Sequence, residues 1–182
     1  MAEPLKVRRF KAIALPHLSA AYRLARWLVR NDHDAEELVQ DAYLAAFRFF
    51  DGFGGEDGKA WILTIVRNTC YRWLKQRRGQ PPAEVFDETL HSFDEAGQPA
   101  GQPDNNPETW LLRDESRRLV HQALEKLPLE FRETLVLREL EGCSYREIAG
   151  IVDIPLGTVM SRLARARNLL WKHLTQLEEG ES

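Results

Sequence analysis

The 182-residue chain lacks most of the features that mark a catalyst, a secreted protein or a membrane protein. No apolar run approaches the ~18–20 residues that a membrane-spanning helix needs. The opening Met1-Ala-Glu-Pro-Leu-Lys6 has no signal-peptide apolar core. Cysteine is scarce: Cys70 and Cys143 each sit in a helical pattern with no CxxC or Cys/His cluster nearby, which argues against a disulfide framework and against structural zinc. The five histidines, at 17, 33, 91, 121 and 173, are scattered and form no HExxH pair. Neither a GxxxxGK phosphate loop nor a GxGxxG pattern occurs. Glu36 and Glu37, the obvious carboxylate pair, are adjacent and so point to different sides of a helix. The expectation is a protein of a reducing, cytoplasmic setting that is not an enzyme and has no catalytic, cofactor-binding or metal-binding residues.

Net charge is also low, at -3, which taken alone argues against life on nucleic acid. Divided along the chain it reads differently. Residues 1–80 hold 14 basic and 9 acidic side chains (+5), residues 81–118 hold 3 and 9 (-6), and residues 119–182 hold 8 and 10 (-2). The acidic excess lies in the middle. Residues 80–112 contain five of the nine prolines (81, 82, 99, 103, 107), seven acids and no Lys or Arg. This stretch reads as a flexible, mostly disordered linker, or else as one long surface loop.

On either side the pattern is helical. Leu15, Leu18, Tyr22, Ala25 and Leu28 repeat at three and four. Asp34 to Glu37 reads as a capping-box start for a helix burying Leu38, Ala42 and Ala46. Four glycines between Phe49 and Gly58 end it, and a last helix over about 59–78 has Ile62, Ile65 or Val66, Thr69 and Trp73 along its inner side. Beyond the linker, Leu119, Ala123, Leu124 and Leu127 form one face, and Phe131, Leu135 and Leu140 continue the core to Gly142. Ser144-Tyr-Arg-Glu147 is a capping box for a short helix, and Pro155 opens another with Val159, Leu163, Ala166 and Leu170 inward. The fold expected is all-α: two small helical domains joined by a flexible linker. The divisions are 1–79, 80–112 and 113–182.

Three features carry chemistry. From Ser144 to Arg167 a capped helix, a tight connection and a Pro-started helix have the layout of a helix-turn-helix. Its second helix places Thr158, Ser161, Arg162 and Arg165 between the inward positions, hydroxyls and guanidiniums suited to base edges and phosphates. Residues 58–83 are acid-free, with Lys59, Arg67, Arg72, Lys75, Arg77 and Arg78 interleaved with Trp61, Tyr71 and Trp73, beside Phe49, Phe50 and Phe53. Cations with aromatics suit single-stranded nucleic acid, although Trp61 and Trp73 fit a helical core better than a stacking platform. Residues 31–47 reverse the sign: Asp32, Asp34, Glu36, Glu37 and Asp41 occur with no Lys or Arg. Helix N-terminal bias accounts for most of these. Asp41, two turns in, points to a protein partner.

These residues resemble the extracytoplasmic function (ECF) sigma factors, bacterial RNA polymerase specificity subunits. "LPLEFRETLVLRELEGCSYREIAGIVDIPLGTVMSRLARAR" is similar to the family's region 4, and "DHDAEELVQDAYLAAFRFF" with "AWILTIVRNTCYRWLKQRR" to its region 2. The resemblance covers residues 15–78 and 117–174 and implies a set of roles. Glu37, Gln40 and Asp41 would grip a coiled coil of the polymerase's largest subunit. Phe53, with the loop from 49 to 58, would capture a flipped base of the -10 element, and Trp61, Asn68, Arg72 and Lys75 would line the same melted strand. Ser161 and Arg165, with Thr158, would read the -35 element, with Tyr145, Arg146 and Arg162 nearer the phosphates. Met160 and Ala164 depart from the family's usual basic and larger residues, which bears on -35 preference. Promoter DNA, duplex and single-stranded, RNA polymerase core and an anti-sigma factor are the implied partners.

Two elements ~20 bp apart lie roughly 70 Å from one another at about 3.4 Å per base pair. A 33-residue linker reaches at most about 110 Å extended and about 30 Å as a relaxed coil, so it spans when the polymerase holds it. The competing readings are a two-domain helix-turn-helix regulator that binds duplex DNA unaided and a nucleic-acid-processing enzyme with a helix-turn-helix appendage.

Overall fold

The computed structural model describes residues 3–55, 57–77 and 107–180, with side chains in the last stretch placed from residue 113. Every regular element among them is helical. The expected linker falls largely on 78–106, outside the described residues.

The first helix, α1 (Leu5–Ala14), precedes the stripe read from the sequence. Phe10 anchors it, edge-on to Tyr43, Phe47 and Phe50 at centroid distances of 6.3, 5.2 and 5.4 Å. Pro16 lacks a backbone donor, and a 3-10 turn at Leu15–His17 resets the helical phase. Leu15 and Leu18 therefore face solvent, while α2 (Leu18–Val29) buries Ala20, Ala21, Leu24, Ala25, Trp27 and Leu28. Arg30, at φ 60°, closes α2. Asn31, rather than Asp34, caps α3 (Asp32–Phe49): its Oδ1 accepts from the Asp34 N–H at 2.9 Å. A second 3-10 turn, Phe50–Gly52, leads to α4 (Gly58–Arg77). That helix buries Ile62, Leu63, Val66 and Cys70, a stripe rotated from the expected one, and leaves Ile65, Thr69 and Trp73 half-buried. Helices α2, α3 and α4 pack mutually, and α1 crosses α4 at Gly58. A Cβ at Gly58 would lie 2.8 Å from Ile13 Cγ2, so the crossing requires glycine.

The second unit begins with α5 (Pro107–Glu125), which starts inside the segment read as linker. Next comes α6 (Leu129–Leu135), which widens into a π turn at Val136–Leu140, the Glu141 N–H bonding to the Val136 carbonyl at 3.0 Å. The wider turn rotates Leu140 outward, which is why it is exposed where the sequence pattern places it in the core. Gly142, at φ 65°, ends the turn. The Ser144–Glu147 capping box is fully formed and opens α7 (Tyr145–Val152). Asp153 in the left-handed region (φ 59°), Ile154 and Pro155 then connect to α8 (Leu156–Gly180). The core is aliphatic: Leu124, Leu127, Leu135, Leu137, Ile148, Ile151, Val159, Leu163 and their neighbours. The two units pack together, α4 against α7 and α2 against α6.

Candidate nucleic-acid interface

The α7–turn–α8 unit is a helix-turn-helix in its geometry. Its three-residue turn is tied by the Ile154 N–H to the Ala149 carbonyl at 3.1 Å. Val159, Leu163 and Ala166 seat α8 on the core, so the opposite face is presented outward. Ser161 and Arg165, one turn apart, are exposed there, and Thr158 is half-buried beside them. Arg162 lies on the flank, its guanidinium 3.7 Å from Glu130. Arg146, at the start of α7, is exposed, and Tyr145 lies 4.9 Å beneath the Arg138 guanidinium. Met160 and Ala164 are exposed on the same helix as Ser161 and Arg165.

The N-terminal unit gathers the second group. Phe53 stacks on Phe50 (6.0 Å, 19°) and leans on Trp61 (4.6 Å, 33°). Asp57 Oδ1 accepts from the Ala60 N–H at 3.0 Å and sets the start of α4 directly behind Trp61. From Trp61, the positions 68, 72 and 75 follow at helical spacing, and Asn68, Arg72 and Lys75 are all exposed. The structure therefore joins an aromatic platform to an acid-free polar face. Trp73 lies apart, covered by Arg77 at 4.2 Å.

Glu37, Gln40 and Asp41 form one exposed face of α3. Leu44, the next turn on the same face, is 67% exposed and borders a shallow groove of about 400 Å³ with Phe10, Gln40, Tyr43 and Phe47. Leu44 is not among the residues to which the resemblance assigns a role. Its signal was an apolar side chain three residues after Asp41, off the buried stripe.

Family models place these surfaces in one lineage. Residues 13–80 match "Sigma-70 region 2" and residues 117–170 match "Sigma-70, region 4". The chain is 36% identical over 172 residues to RNA polymerase sigma-H factor of Pseudomonas aeruginosa, covering 92% of this chain and 88% of that protein. It is 37% identical to ECF RNA polymerase sigma-E factor of Escherichia coli over 75% of this chain and 72% of that protein. It belongs to the ECF sigma factors. Among solved structures, the sigma factor RpoE in complex with the anti-sigma factor NepR from Bartonella quintana is similar at 32% identity and a TM-score of 0.68, over 92% of this chain and 98% of that one.

As a member of this family, the sigma factor binds RNA polymerase core and directs it to promoters, so the reading as a regulator that binds duplex DNA unaided is not favoured. Sigma regions 2 and 4 also meet in a way that sequence spacing did not signal. Arg67 of α4 forks onto Glu133 of α6 (Nε–Oε2 2.9 Å, Nη2–Oε1 3.1 Å). Arg23 of α2 forks onto Glu141 (Nε–Oε1 2.7 Å, Nη2–Oε2 3.0 Å), whose carbonyl also accepts from Lys59 Nζ. The side chain of Glu133 is 0% exposed and that of Glu141 1%. Tyr71 lies 4.0 Å from the Arg67 guanidinium, and burial, then the Glu133 carboxylate, push its phenol up. Trp27 packs on His121 at 4.6 Å. Burial pushes the thiols of Cys70 and Cys143 up, to about 12 and about 11, so both are held as unreactive thiols within the core.

Proposed function

We propose that this sigma factor divides its work as 1–79 (region 2), 80–112 (linker) and 113–182 (region 4), each contact surface carrying one step of initiation. Glu37, Gln40, Asp41 and the exposed Leu44 hold polymerase core. Phe53 and Trp61 receive unstacked bases of the -10 strand, and Asn68, Arg72 and Lys75 track its backbone. Thr158, Ser161 and Arg165 read the -35 element in the major groove while Tyr145, Arg146 and Arg162 position the helix on phosphates. The protein acts by binding and positioning, without a reaction of its own, in the cytoplasm where polymerase is found. The observation that carries the reading is the exposed, acid-free Asn68–Arg72–Lys75 face running from the Phe53–Trp61 stack. Because the relative from Bartonella quintana is bound by an anti-sigma factor, an inhibitor of that kind is proposed here as well.

The test is in vitro transcription with core polymerase and genomic fragments, with start-site mapping. Arg165→Ala is expected to weaken discrimination of the -35 element by about 1–3 kcal/mol, the worth of a bidentate base contact. An equal loss on a scrambled -35 sequence would reduce Arg165 to a phosphate contact. Charge reversal at Asp41 is expected to lower core affinity while leaving the fold and the DNA contacts of region 4 unchanged. Unaltered core binding would remove that face from the polymerase interface.

A further inference from the structure

Of the cations that region 2 holds against region 4, Arg67, Arg23 and Lys59 make close hydrogen bonds, and their partners are two carboxylates and a carbonyl. We infer that Arg23, Lys59 and Arg67 form a phosphate-binding surface for the promoter DNA backbone, which Glu133 and Glu141 cover while the two regions are packed together. This rests on the placement of the melted strand along α4.

The chemistry of the contact favours a phosphate. A guanidinium forked onto two carboxylate oxygens is already arranged for the two oxygens that a phosphate presents. Both glutamate side chains are dry, and the side chains of Arg67 and Arg23 are only 15% and 27% exposed. Parting the regions therefore strips each arginine of its anion and leaves a site suited to another. The surroundings have the matching sign. The described part of α4 carries Lys59, Arg67, Arg72, Lys75 and Arg77 with no acid. Arg67 is the neighbour of Asn68 and lies little more than one turn from Arg72, so the covered cations extend the exposed strand face around the same helix.

Geometry makes the parting necessary. Region 2 touches region 4 through α4 on α7, and α7 packs directly on α8. Packed helices lie 8–10 Å apart, so α4 and α8 are about 20 Å from each other in the packed arrangement. Promoter elements ~20 bp apart require roughly 70 Å. Both elements cannot be held until the Arg67–Glu133 and Arg23–Glu141 forks open. The cations then come free on the side of region 2 from which region 4, and the duplex it binds, departs.

The experiment uses holoenzyme reconstituted from core polymerase and the full chain, on a promoter fragment selected in vitro by the wild-type holoenzyme. Equilibrium binding is measured from about 50 to 200 mM salt. Arg23→Ala and Arg67→Ala are each expected to lower the slope of log K against log salt by about 1, equally on fragments with a changed spacer sequence. Arg67→Lys keeps the charge and is expected to keep the slope. Should Arg67→Ala fold poorly through its orphaned glutamate, the double variant Arg67→Gln/Glu133→Gln removes both charges and is read in its place. In parallel, dyes on Ser19→Cys and Gln176→Cys report the packing of the free chain, and Glu133→Gln/Glu141→Gln is expected to lower energy transfer. Wild-type slopes in the Arg23 and Arg67 variants, with a lowered slope in Arg72→Ala, overturn the inference and leave the reading of α4 standing. An unchanged slope in Arg72→Ala as well overturns that reading too. Reduced core affinity at an unchanged slope assigns the cations to the polymerase instead and also overturns the proposal, as does unchanged energy transfer in the glutamate variants.

Discussion

Regions 2 and 4 are both small helical bundles, yet they solve burial differently. Region 2 is closed by rings: Phe10, Tyr43, Phe47, Phe50, Phe53 and Trp61 interlock, and no charged residue described there is buried. Region 4 has an aliphatic core and buries Arg132, Glu133 and Glu141. Arg132 finds its partners at home, one guanidinium nitrogen donating to the Glu125 and Leu127 carbonyls at the end of α5 (3.3 and 3.2 Å) while its buried Nε has none, and burial pulls its pKa down to about 10. The two glutamates take their guanidinium partners from region 2. Burying these two carboxylates without a hydrogen-bonded counter-ion would be costly, so region 4 is complete in this arrangement because region 2 is present. For buried charge the dependence is one-sided: no buried ion among the described residues of region 2 looks to region 4 for a partner.

That asymmetry can be broken from the region 2 side. Phe10→Ala removes the ring that joins α1 to α3 and to the turn at Phe50 and leaves a cavity. The cost expected is about 3–5 kcal/mol, near the range for buried Phe truncation. Because region 4 depends on region 2 for its counter-ions, chemical denaturation followed by probes in both regions is expected to show both transitions moving to lower denaturant. A shift confined to region 2 would mean that the forks contribute nothing to region 4's stability.

Gly58→Ala acts more gently, on the crossing of α1 with α4. The added methyl meets Ile13 Cγ2 at 2.8 Å and the Ile13 carbonyl at 3.1 Å, so α1 must move off the start of α4. Overpacking of this kind costs about 1–3 kcal/mol. The measurement that sharpens the comparison is hydrogen exchange. Protection is expected to fall in α1 and at the start of α4, and to hold in α7 and α8. Uniform loss of protection across both regions would show that α1 is part of one shared cooperative unit.

What the sequence made legible follows from how far each signal reaches. Caps are local, so Ser144–Glu147 and the turn at Gly142 were found where the structure has them. The outward position of Ser161 and Arg165 followed from the inward spacing of Val159, Leu163 and Ala166. Phase was lost wherever one residue reset it. Pro16 turned Leu15 and Leu18 outward, and the π turn rotated Leu140 out of the core. The forks were illegible because their partners stand 66 and 118 residues apart. Arg67 reads as one more cation in an acid-free run, and Glu133 as an ordinary solvated helix residue. Only the packing of α4 and α2 against region 4 gives them their meaning.

The smallest effect tests whether region 4 has local stability of its own. Ser144 Oγ accepts from the Glu147 N–H at 3.1 Å, and the Glu147 carboxylate accepts from the Ser144 N–H at 2.5 Å. Ser144→Ala removes the first bond and leaves an unsatisfied donor at the start of α7, with an expected cost of about 1 kcal/mol. Helix α7 supports the recognition helix but also packs on α4, so two outcomes are distinguishable. If the cap stabilises region 4 alone, the loss is the same in the wild-type background and in Glu133→Gln/Glu141→Gln, because the two sites do not share a partner. If α7 is held chiefly by α4, removing the cap costs little in the packed chain and more in the glutamate variant, where that support is weakened. The expected result is additivity within about 0.5 kcal/mol, since both partners of the capping box lie within one turn of α7.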